Sequence, residues 1–418
     1  MPGFMEVSAM RKQVLLLAAV SGAALGIGGT ANAKAGDPVT IGEGVTLDPI
    51  IGGVLRYEMV EQDDLGLDAD ALTIGMVAGA ELKASGFSVL AEAEGTLALV
   101  DNYNDTIAGN NGYLGAEPYS VVADPESVEL NRLQVGYAGK FGSVTVGRQR
   151  IVLGNARFVG NVGWRQNEQT FDAVRATAKF GPAYVDATYS ISQRTIFGAD
   201  AGARTAFDGD HVFLNAGLKV AGVDVTGFAY LLDYDIDEPT LGTSSQTYGA
   251  IATGALPVGP KVKLNFLASY ARQSDYGDNP VDYSADYINA ELGTAVAGVA
   301  LKAGYEKLGS DDGIKGFATP MATLHAFNGF ADLFLNTPNT GIEDYYGSLG
   351  YAFKGVTAGV TYHKFESDVG GLDYGEEWDA TLGFKLGGYP FLVKYANYDA
   401  EDFGADTQKL WIQVSFAY

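Results

Sequence analysis

Residues 409–418, KLWIQVSFAY, carry the alternation that decides the fold of this chain. Apolar side chains occupy every second position from Leu410 to Tyr418, and Gln413 and Ser415 fall between them. Because successive side chains of a β-strand point to opposite faces, this period of two predicts a strand with one apolar face. Tilted strands of ~10 residues are long enough to cross a bilayer. The same pattern recurs at 72–81, 262–270, 356–362 and 378–386.

The connections between the predicted strands distinguish a membrane barrel from a soluble β-sandwich. Eight connections are very short, and they alternate along the chain with nine longer, polar and mostly acidic ones. This alternation is typical of an outer-membrane barrel, whose tight turns face the periplasm and whose long loops face outward. The short connections lie at 84–86, 140–142, 181–182, 221–222, 257–260, 297–298, 355 and 387–390. The longer ones lie near 61–70, 100–127, 154–169, 195–209, 236–245, 273–282, 309–343, 367–376 and 401–405.

These connections predict an all-β fold, a closed transmembrane antiparallel β-barrel of eighteen strands, or of sixteen if one weak hairpin is misassigned. An even count closes the sheet, which the membrane requires because an unpaired backbone amide in hydrocarbon costs several kcal/mol. The strand that ends at Tyr418 should therefore pair with the first strand, near residues 50–59. Its terminal aromatic residue also fits the signal read by the barrel-assembly machinery. Outer-membrane lipid and lipopolysaccharide are the other predicted macromolecular partners.

The first 33 residues predict export. Residues 10–33, MRKQVLLLAAVSGAALGIGGTANA, combine two cations, a short apolar run and the small-residue triplet that ends at Ala33. This is the pattern of a signal peptide cleaved after Ala33, with residues 1–9 as an over-called start and 34–418 as the barrel. A retained anchor is disfavoured because the apolar run is short and rich in glycine and alanine. The predicted location is the outer membrane of a Gram-negative bacterium.

Composition excludes several classes of function. A formal charge of -24 argues against a nucleic acid partner, and the absence of cysteine excludes thiolate metal sites and a cysteine nucleophile. The histidines His211, His325 and His363 are too far apart in strand order to suggest a metal site. The stretch DYDIDE at 233–238 lacks the glycine and glutamate of an EF-hand, so calcium in the acidic loops would be adventitious. No metal and no cofactor are predicted.

Strand parity places charged side chains inside the barrel, on two opposing walls. A basic wall facing an acidic one would orient polar solutes and favour anions along the basic side. The alternative is that these charges pair with each other and only fill a wet interior. The predicted acidic side chains are Glu58, Glu81, Glu92 and Glu94. The predicted basic ones are Arg132, Arg148, Arg150, Arg175, Lys179 and Arg194.

One strand conflicts with this pattern. Val144 and Val146 share the parity of Arg148 and Arg150, which would place two guanidinium groups in lipid at a cost of ~2–4 kcal/mol each. A slip of one residue would turn both arginines inward and direct Ile151 and Leu153 to lipid. We therefore expect a β-bulge at or next to Gly147, since glycine is common at such sites.

The same region resembles a known family. The elements Gly147–Gln149, Trp164 and Phe171–Arg175 resemble a segment of alginate-export-type outer-membrane porins, and 316–338 resembles a second shared segment. The resemblance implies an eighteen-stranded barrel whose arginine-lined constriction passes an anionic polysaccharide or a related solute. Arg148 and Arg175 match its motif, whereas the other predicted arginines rest on parity. Because no arginine follows Arg272, general polar or carboxylated solutes are favoured over alginate.

The connection at 309–343 is too long to be an idle link. Part of it, TLHAFNGFADLFL, could form a short helix with phenylalanines on one face. The loop either packs as an extracellular lid or folds into the lumen and narrows the pore. The candidate constriction residues are Phe317, His325, Phe327, Phe330 and Phe334.

Together these features predict a channel, not an enzyme, for passive or facilitated passage of polar, chiefly anionic, small solutes or saccharides. The first alternative is a barrel hydrolase, for which Ser348 and His363 are the nearest candidates. No orienting third group is apparent for them, and both should face the lumen. The second is a receptor or scaffold barrel, which would require a plug domain.

Overall fold

The computed structural model describes residues 36–107, 119–259 and 262–418. The predicted signal peptide at 1–33 lies outside these ranges. A short strand, β1 (Val39–Gly42), precedes eighteen longer ones. They are β2 (Val45–Gln62), β3 (Ala69–Ala84), β4 (Phe87–Asn102), β5 (Ser127–Ala138), β6 (Gly142–Gln149), β7 (Thr170–Phe180), β8 (Ala183–Arg194), β9 (Ala206–Val220), β10 (Val223–Tyr234), β11 (Ser245–Pro257), β12 (Lys263–Asp275), β13 (Ser284–Val296), β14 (Val299–Leu308), β15 (Ile342–Phe353), β16 (Val356–Glu366), β17 (Asp373–Leu386), β18 (Tyr389–Ala400) and β19 (Thr407–Ala417).

The strands β2 to β19 close into one antiparallel barrel. Each pairs with its neighbours in the chain, and β19 pairs with β2 from Thr407 opposite Gln62 to Ala417 opposite Gly52. Beyond the last pair, the Tyr418 amide donates a 2.8 Å hydrogen bond to the Ile51 carbonyl. The strand β1 adds a short hairpin to β2. The predicted closed barrel of eighteen strands, and the pairing of its first and last strands, are confirmed.

Three 3₁₀ turns, at Gly202–Arg204, Leu241–Thr243 and Leu324–Ala326, are the helical elements of the described residues. None of the helices there is long and apolar enough to cross a membrane.

The outer face of the barrel is apolar and ends in a row of tyrosines near the loops. Leu133 and Val135 of β5 are about half exposed, as expected for side chains that contact lipid. Closer to the loops, outward tyrosines donate to a carboxylate of the next strand, two residues nearer the loop. The pairs include Tyr57–Asp70 at 2.5 Å, Tyr270–Asp286 at 2.7 Å and Tyr362–Glu376 at 2.6 Å. Such rings with one polar end suit the boundary between hydrocarbon and headgroups.

The predicted β-bulge at Gly147 is wrong. β6 pairs with β5 and β7 without a register shift, and Gly147 fits its place in the ladder with a φ of 115°. The register shifts lie in the neighbouring strand pairs, next to Glu92 and next to Asp172. Regular alternation therefore continues to the end of β6 at Gln149, and the chain turns into the barrel immediately afterwards.

Two of the connections cross the interior of the barrel. We name them loop A (residues 150–169) and loop B (residues 309–341). They pair with each other through a short parallel bridge, in which the Gly160 amide donates to the Met321 carbonyl at 2.8 Å. Loop A leaves the wall after β6, contacts β2 through the Trp164 carbonyl, and contacts β14, eight strands from β6, through Arg157. The two loops together form a bridge across the lumen.

Loop B does not form the predicted helix. Its sole helical turn, among the described residues, spans Leu324–Ala326, and Phe327 already has extended backbone angles. The backbone of loop B instead bonds to loop A and to the wall, for example through Ala318 and Gln273 of β12 at 2.7 Å. These external partners replace the internal hydrogen bonds that a helix would have made.

Gly147 offers a direct test of this register. A positive φ strains any residue with a Cβ atom, and a Cβ at this position would collide with the Leu133 carbonyl. We expect Gly147→Ala to destabilise the barrel by about 1–3 kcal/mol in urea unfolding from lipid vesicles. Gly227→Ala is the matched control, because its Cβ would meet its first neighbour at 3.9 Å. Equal stability of the two variants would contradict the strained conformation of Gly147.

Candidate solute path and its charge network

Buried arginines fix loop A to the barrel wall. Arg157 is almost fully buried and donates to Glu306 of β14 at 2.8 Å. It also donates to Asn328 of loop B at 2.9 Å, and its guanidinium lies 4.7 Å from the ring centre of Phe327. Because a buried charge is stable only when it is paired and hydrogen-bonded, this one side chain fixes the position of both loops.

A second arginine ties the loops to the seam where the barrel closes. Arg165 of loop A donates to Glu58 of β2 at 3.2 Å and to Asp332 of loop B at 3.1 Å. Asp332 lies in turn 3.4 Å from the Lys409 ammonium of β19. Burial by itself lowers the pKa of Arg165, but Glu58, Asp124 and Asp332 raise it above its usual value. Arg165 is therefore a permanent cation that connects β2, loop B and β19.

An aromatic enclosure surrounds His325 next to this seam. Its ring stacks on Trp164 at 4.6 Å and on Phe330 at 5.5 Å. Lys394 of β18 donates to His325 Nε2 at 2.6 Å and lies 3.3 Å from the centre of the Phe330 ring. Because Nε2 accepts this hydrogen bond, Nδ1 carries the proton and donates to Asp332 at 2.7 Å. The arrangement requires a neutral imidazole.

The environment of His325 maintains that neutral state. Burial lowers the pKa of His325 to about 4, Asp332 opposes the shift, and Lys394 and Arg165 add to it. Burial alone would raise the pKa of Asp332, but the His325 hydrogen bond, Lys409 and Arg165 bring it below its ordinary value. At neutral pH the site therefore holds an uncharged histidine beside an ionised aspartate.

Each of the predicted arginines has a carboxylate partner. Arg132 binds Glu92 with two hydrogen bonds of 2.7 and 2.6 Å, and Arg150 binds Glu168 at 2.6 and 2.5 Å. Bidentate pairing of this kind neutralises the charge but leaves some guanidinium N–H groups free. The remaining pairs are Arg148–Asp172, Arg175–Asp186 and Arg194–Glu129. Glu94 accepts from the Glu168 amide at 3.3 Å.

Arg148 does not line the lumen, contrary to the prediction. It lies opposite Leu133, on the lipid-facing side of β5, and pairs with Asp172 there at 2.8 Å. The expected cost of a guanidinium in lipid assumed a position near the bilayer centre. Arg148 is instead next to the loop end of β6, where that cost falls to ~0–1 kcal/mol. Its positive charge is also neutralised by Asp172. Ile151 and Leu153, expected to face lipid, are buried in the interior cluster.

The remaining predicted wall residues lie toward the short turns. Glu81 shares the inward parity of the buried Thr73 and lies 2.9 Å from Lys83. Lys179 has the parity of Arg175 and lies next to the turn at 181–182. These residues are well below the two loops. The charges predicted for two opposing walls are therefore spread along the length of the barrel.

The aromatic residues of loop B separate into different contacts. Phe317 packs on Tyr287 of β13 at 5.6 Å between ring centres, and Phe334 packs on Phe365 of β16 at 4.6 Å. Phe327 contacts Arg157, whereas Phe330 contacts Lys394 and His325. Phe327, Phe330 and Phe334 are three and four residues apart, which predicted that they share one face of a helix. Because the loop is extended, these rings instead contact several different strands.

A cavity of about 110 Å³ opens beneath loop A on the side of the short turns. Its wall includes Phe158, Phe228 and Tyr230, with 5.0 Å between the first two ring centres. Arg175 and Asp186 lie at its edge, joined by hydrogen bonds of 3.0 and 2.5 Å. The cavity can hold a small ring-shaped group, because a comparable volume of 150 Å³ accommodates benzene in another protein. Apolar rings therefore meet free polar groups at this point of the lumen.

Several residues of the network were absent from the sequence prediction. Arg157 and Arg165 lie in a loop whose basic character contrasts with the acidic loops around it, and that contrast was an available signal. Trp411 interrupts the polar face between Lys409 and Gln413, and a bulky ring directed into a lumen needs a partner. The partner, Lys394, could not be assigned without knowing which loop enters the barrel.

Comparisons with known proteins agree with this architecture. Residues 56–204 match the family model described as alginate export. The matched segment contains Gly147–Gln149, Trp164 and Phe171–Arg175, so the resemblance predicted from these elements is confirmed there. The second similar segment, 316–338, lies outside the matched residues. No curated protein matches the chain.

Solved structures share the fold at low sequence identity. The chain resembles the outer membrane protein OpdK of Pseudomonas aeruginosa, with a TM-score of 0.67, 15% identity and coverage of 89% of this chain and 98% of that one. A second structure of OpdK, solved with vanillate, gives 0.66, 14% and the same coverage. OccAB3 of Acinetobacter baumannii gives 0.66 and 14%, covering 89% of this chain and 100% of the other.

The closed barrel with an apolar outer face is the architecture of the Gram-negative outer membrane. It confirms the predicted location, and the fold is an outer-membrane β-barrel similar to those solved structures.

The neutral His325 generates a prediction for acid pH. A pKa of about 4 in the folded protein against ~6.5 in an unfolded chain means that folding favours the neutral ring. Its contribution is complete above pH 6.5 and is lost as the pH falls toward 4, by up to about 3 kcal/mol. We expect acidification to loosen the contacts of Trp164 and Trp411, which a red shift of tryptophan fluorescence would report.

The control for this transition is His325→Gln, whose amide can still accept from Lys394 and donate to Asp332. The fluorescence of this variant should stay constant between pH 6.5 and 4.5. A transition of the same size in both proteins would assign it to other groups and refute the role of His325.

Proposed function

We propose that the protein passes small polar solutes through its lumen, with carboxylated solutes favoured, and that loops A and B set the size limit. The observation that supports this proposal is the bridge across the lumen, held by Arg157 and Arg165. The bridge is held in place by buried charge pairs, and breaking such a pair costs several kcal/mol. Solutes must therefore pass beside the two loops and contact the accessible side chains of the lumen.

The proposed preference for carboxylated solutes rests on guanidinium N–H groups that stay free when an arginine pairs with a carboxylate. Arg175 binds Asp186 through Nε and Nη2, which leaves further N–H donors directed toward the cavity beneath loop A. A carboxylate on a small ring could accept from these donors while its ring contacts Phe228. The similar barrel OpdK was solved with vanillate, which makes small ring acids suitable first probes.

The alternative of a barrel hydrolase has little geometric support. The Ser348 hydroxyl shares a 3.0 Å hydrogen bond with Thr361, and His363 Nδ1 donates to Asp344 at 2.9 Å. Among the hydrogen bonds of the described residues, none joins Ser348 to His363. Activation of a serine nucleophile requires that bond. A receptor without transport is less favoured because the lumen retains polar, accessible cavities. Lipopolysaccharide and the barrel-assembly machinery remain expected partners.

Removal of the lumen segment of loop B tests the size limit. Replacing residues 316–338 by a short glycine-serine linker should increase single-channel conductance several-fold, because the bridge loses one of the two loops that form it. The measurement is made in planar bilayers, with barrel integrity checked by resistance to unfolding in detergent at room temperature. A control deletion in the loop at 63–66, which forms no hydrogen bond to loop A or loop B among the described residues, should leave conductance unchanged. Unaltered conductance without 316–338 would refute the role of loop B.

Selectivity tests the role of Arg175. The variant Arg175→Gln leaves Asp186 unpaired and should shift the reversal potential toward cations at low salt, while Asp186→Asn should shift it toward anions. The double variant keeps the net charge and should return the reversal potential to that of the wild type. It should nevertheless slow the entry of benzoate into liposomes relative to a neutral sugar. If the double variant takes up benzoate as fast as the wild type, the free N–H groups of Arg175 do not select solutes.

A further inference from the structure

The short turns of the barrel carry a repeated lysine. Seven of the eight turns have a described lysine in the turn or within two residues of it. Three of the loops at the opposite end, 63–68, 235–244 and 401–406, contain acidic residues and neither lysine nor arginine. The seven lysines are Lys83, Lys140, Lys179, Lys219, Lys263, Lys354 and Lys385.

Five of these side chains face the lumen. Lys179 has the parity of Arg175, which lines the interior cavity, and Lys263 has that of the buried Gln273. Lys385 has the parity of the buried Glu377, and no register shift separates the two residues in the pairing of β17 with β18. Lys83 and Lys219 follow the same rule on β3 and β9. The ammonium groups therefore form a ring just inside the mouth that faces the periplasm.

This ring, which we name the lysine ring, is largely uncompensated. Lys83 pairs with Glu81 at 2.9 Å, and Lys219 pairs with Asp224 at 3.1 Å. Lys179, Lys263 and Lys385 are exposed and have no ion-pair partner within the described part of the chain. This contrasts with the arginines near loop A, each of which binds a carboxylate. The free positive charge of the lumen is thus concentrated at the periplasmic mouth, although the chain as a whole carries -24.

We infer that the lysine ring is a collecting site for multivalent anions, which it draws into the lumen from the periplasmic side. Several positive charges around a concave opening focus the electric field and raise the local concentration of anions. Lysine is a flexible, strongly hydrated point charge, which suits repeated weak contacts more than tight binding. The groups point into the lumen, so they fit a solute that enters the barrel better than the surface of a periplasmic protein. This inference extends the proposed transport function and depends on it.

One-sided addition of citrate to single channels tests the inference. In 0.1 M KCl, citrate on the periplasmic side should reduce the current at a concentration about tenfold lower than on the other side. Raising KCl to 1 M should remove this difference in the wild-type protein, because the screening length falls to ~3 Å. Channel orientation can be read by one-sided thiol labelling of Glu401→Cys, since the chain contains no cysteine.

The decisive variant is the triple substitution Lys179→Gln, Lys263→Gln and Lys385→Gln, which breaks no ion pair seen in the described residues. It should abolish the sidedness of citrate block. The matched control neutralises Lys307 and Lys364 near the opposite end, where they pair with Asp368 and Asp373, and should retain the sidedness. Equal block from both sides of the wild type, or sidedness that survives in the triple variant, would overturn the inference. Failure of the wild type to conduct at all would instead refute the transport function.

Discussion

Hydrogen bonding of the backbone in a medium without water is the constraint on which this structure depends. Each strand must find partners on both sides, so the last strand must return to the first, and β19 meets β2 along its whole length. Closure then divides every strand into an outward and an inward row. The outward row becomes apolar and ends in tyrosines. The inward row is free of that demand and carries the charges that give the lumen its chemistry.

Inside the barrel, pairing of charges has two different consequences. Near the loops, arginines such as Arg157 are buried, and their attraction to carboxylates is strong because little water screens it. These pairs act as structural clamps, and their net charge is close to zero. Near the periplasmic turns the lysines remain hydrated and largely unpaired. The paired arginines near the loops therefore determine the shape of the solute path, and the lysines near the periplasmic turns determine its electric field.

The sequence was sufficient to predict the barrel and its strand count, because period-two alternation and connection length are local properties. Parity also assigned Arg132 and Arg175 to the interior. Parity alone also places Arg148 on the outward face, where it lies, but the assumed cost in lipid led to a predicted bulge that turned it inward. That cost depends on how far along the strand a residue lies, which alternation does not reveal. The contacts of loop B were beyond prediction for another reason. Phe327 and Phe330 bind Arg157 and Lys394, which are distant in sequence and meet only in the closed barrel.

The seam between β2 and β19 lies next to the bridge across the lumen, and this position constrains the order of assembly. Asp332 of loop B is held by Arg165, which binds Glu58 on β2, and by Lys409 on β19. The two edges of the seam come from opposite ends of the folded chain. Loop B can reach its final place only after those ends have met. An open or half-inserted sheet therefore leaves Asp332 without one of its cations, and completion of the interior marks a barrel that has finished closing.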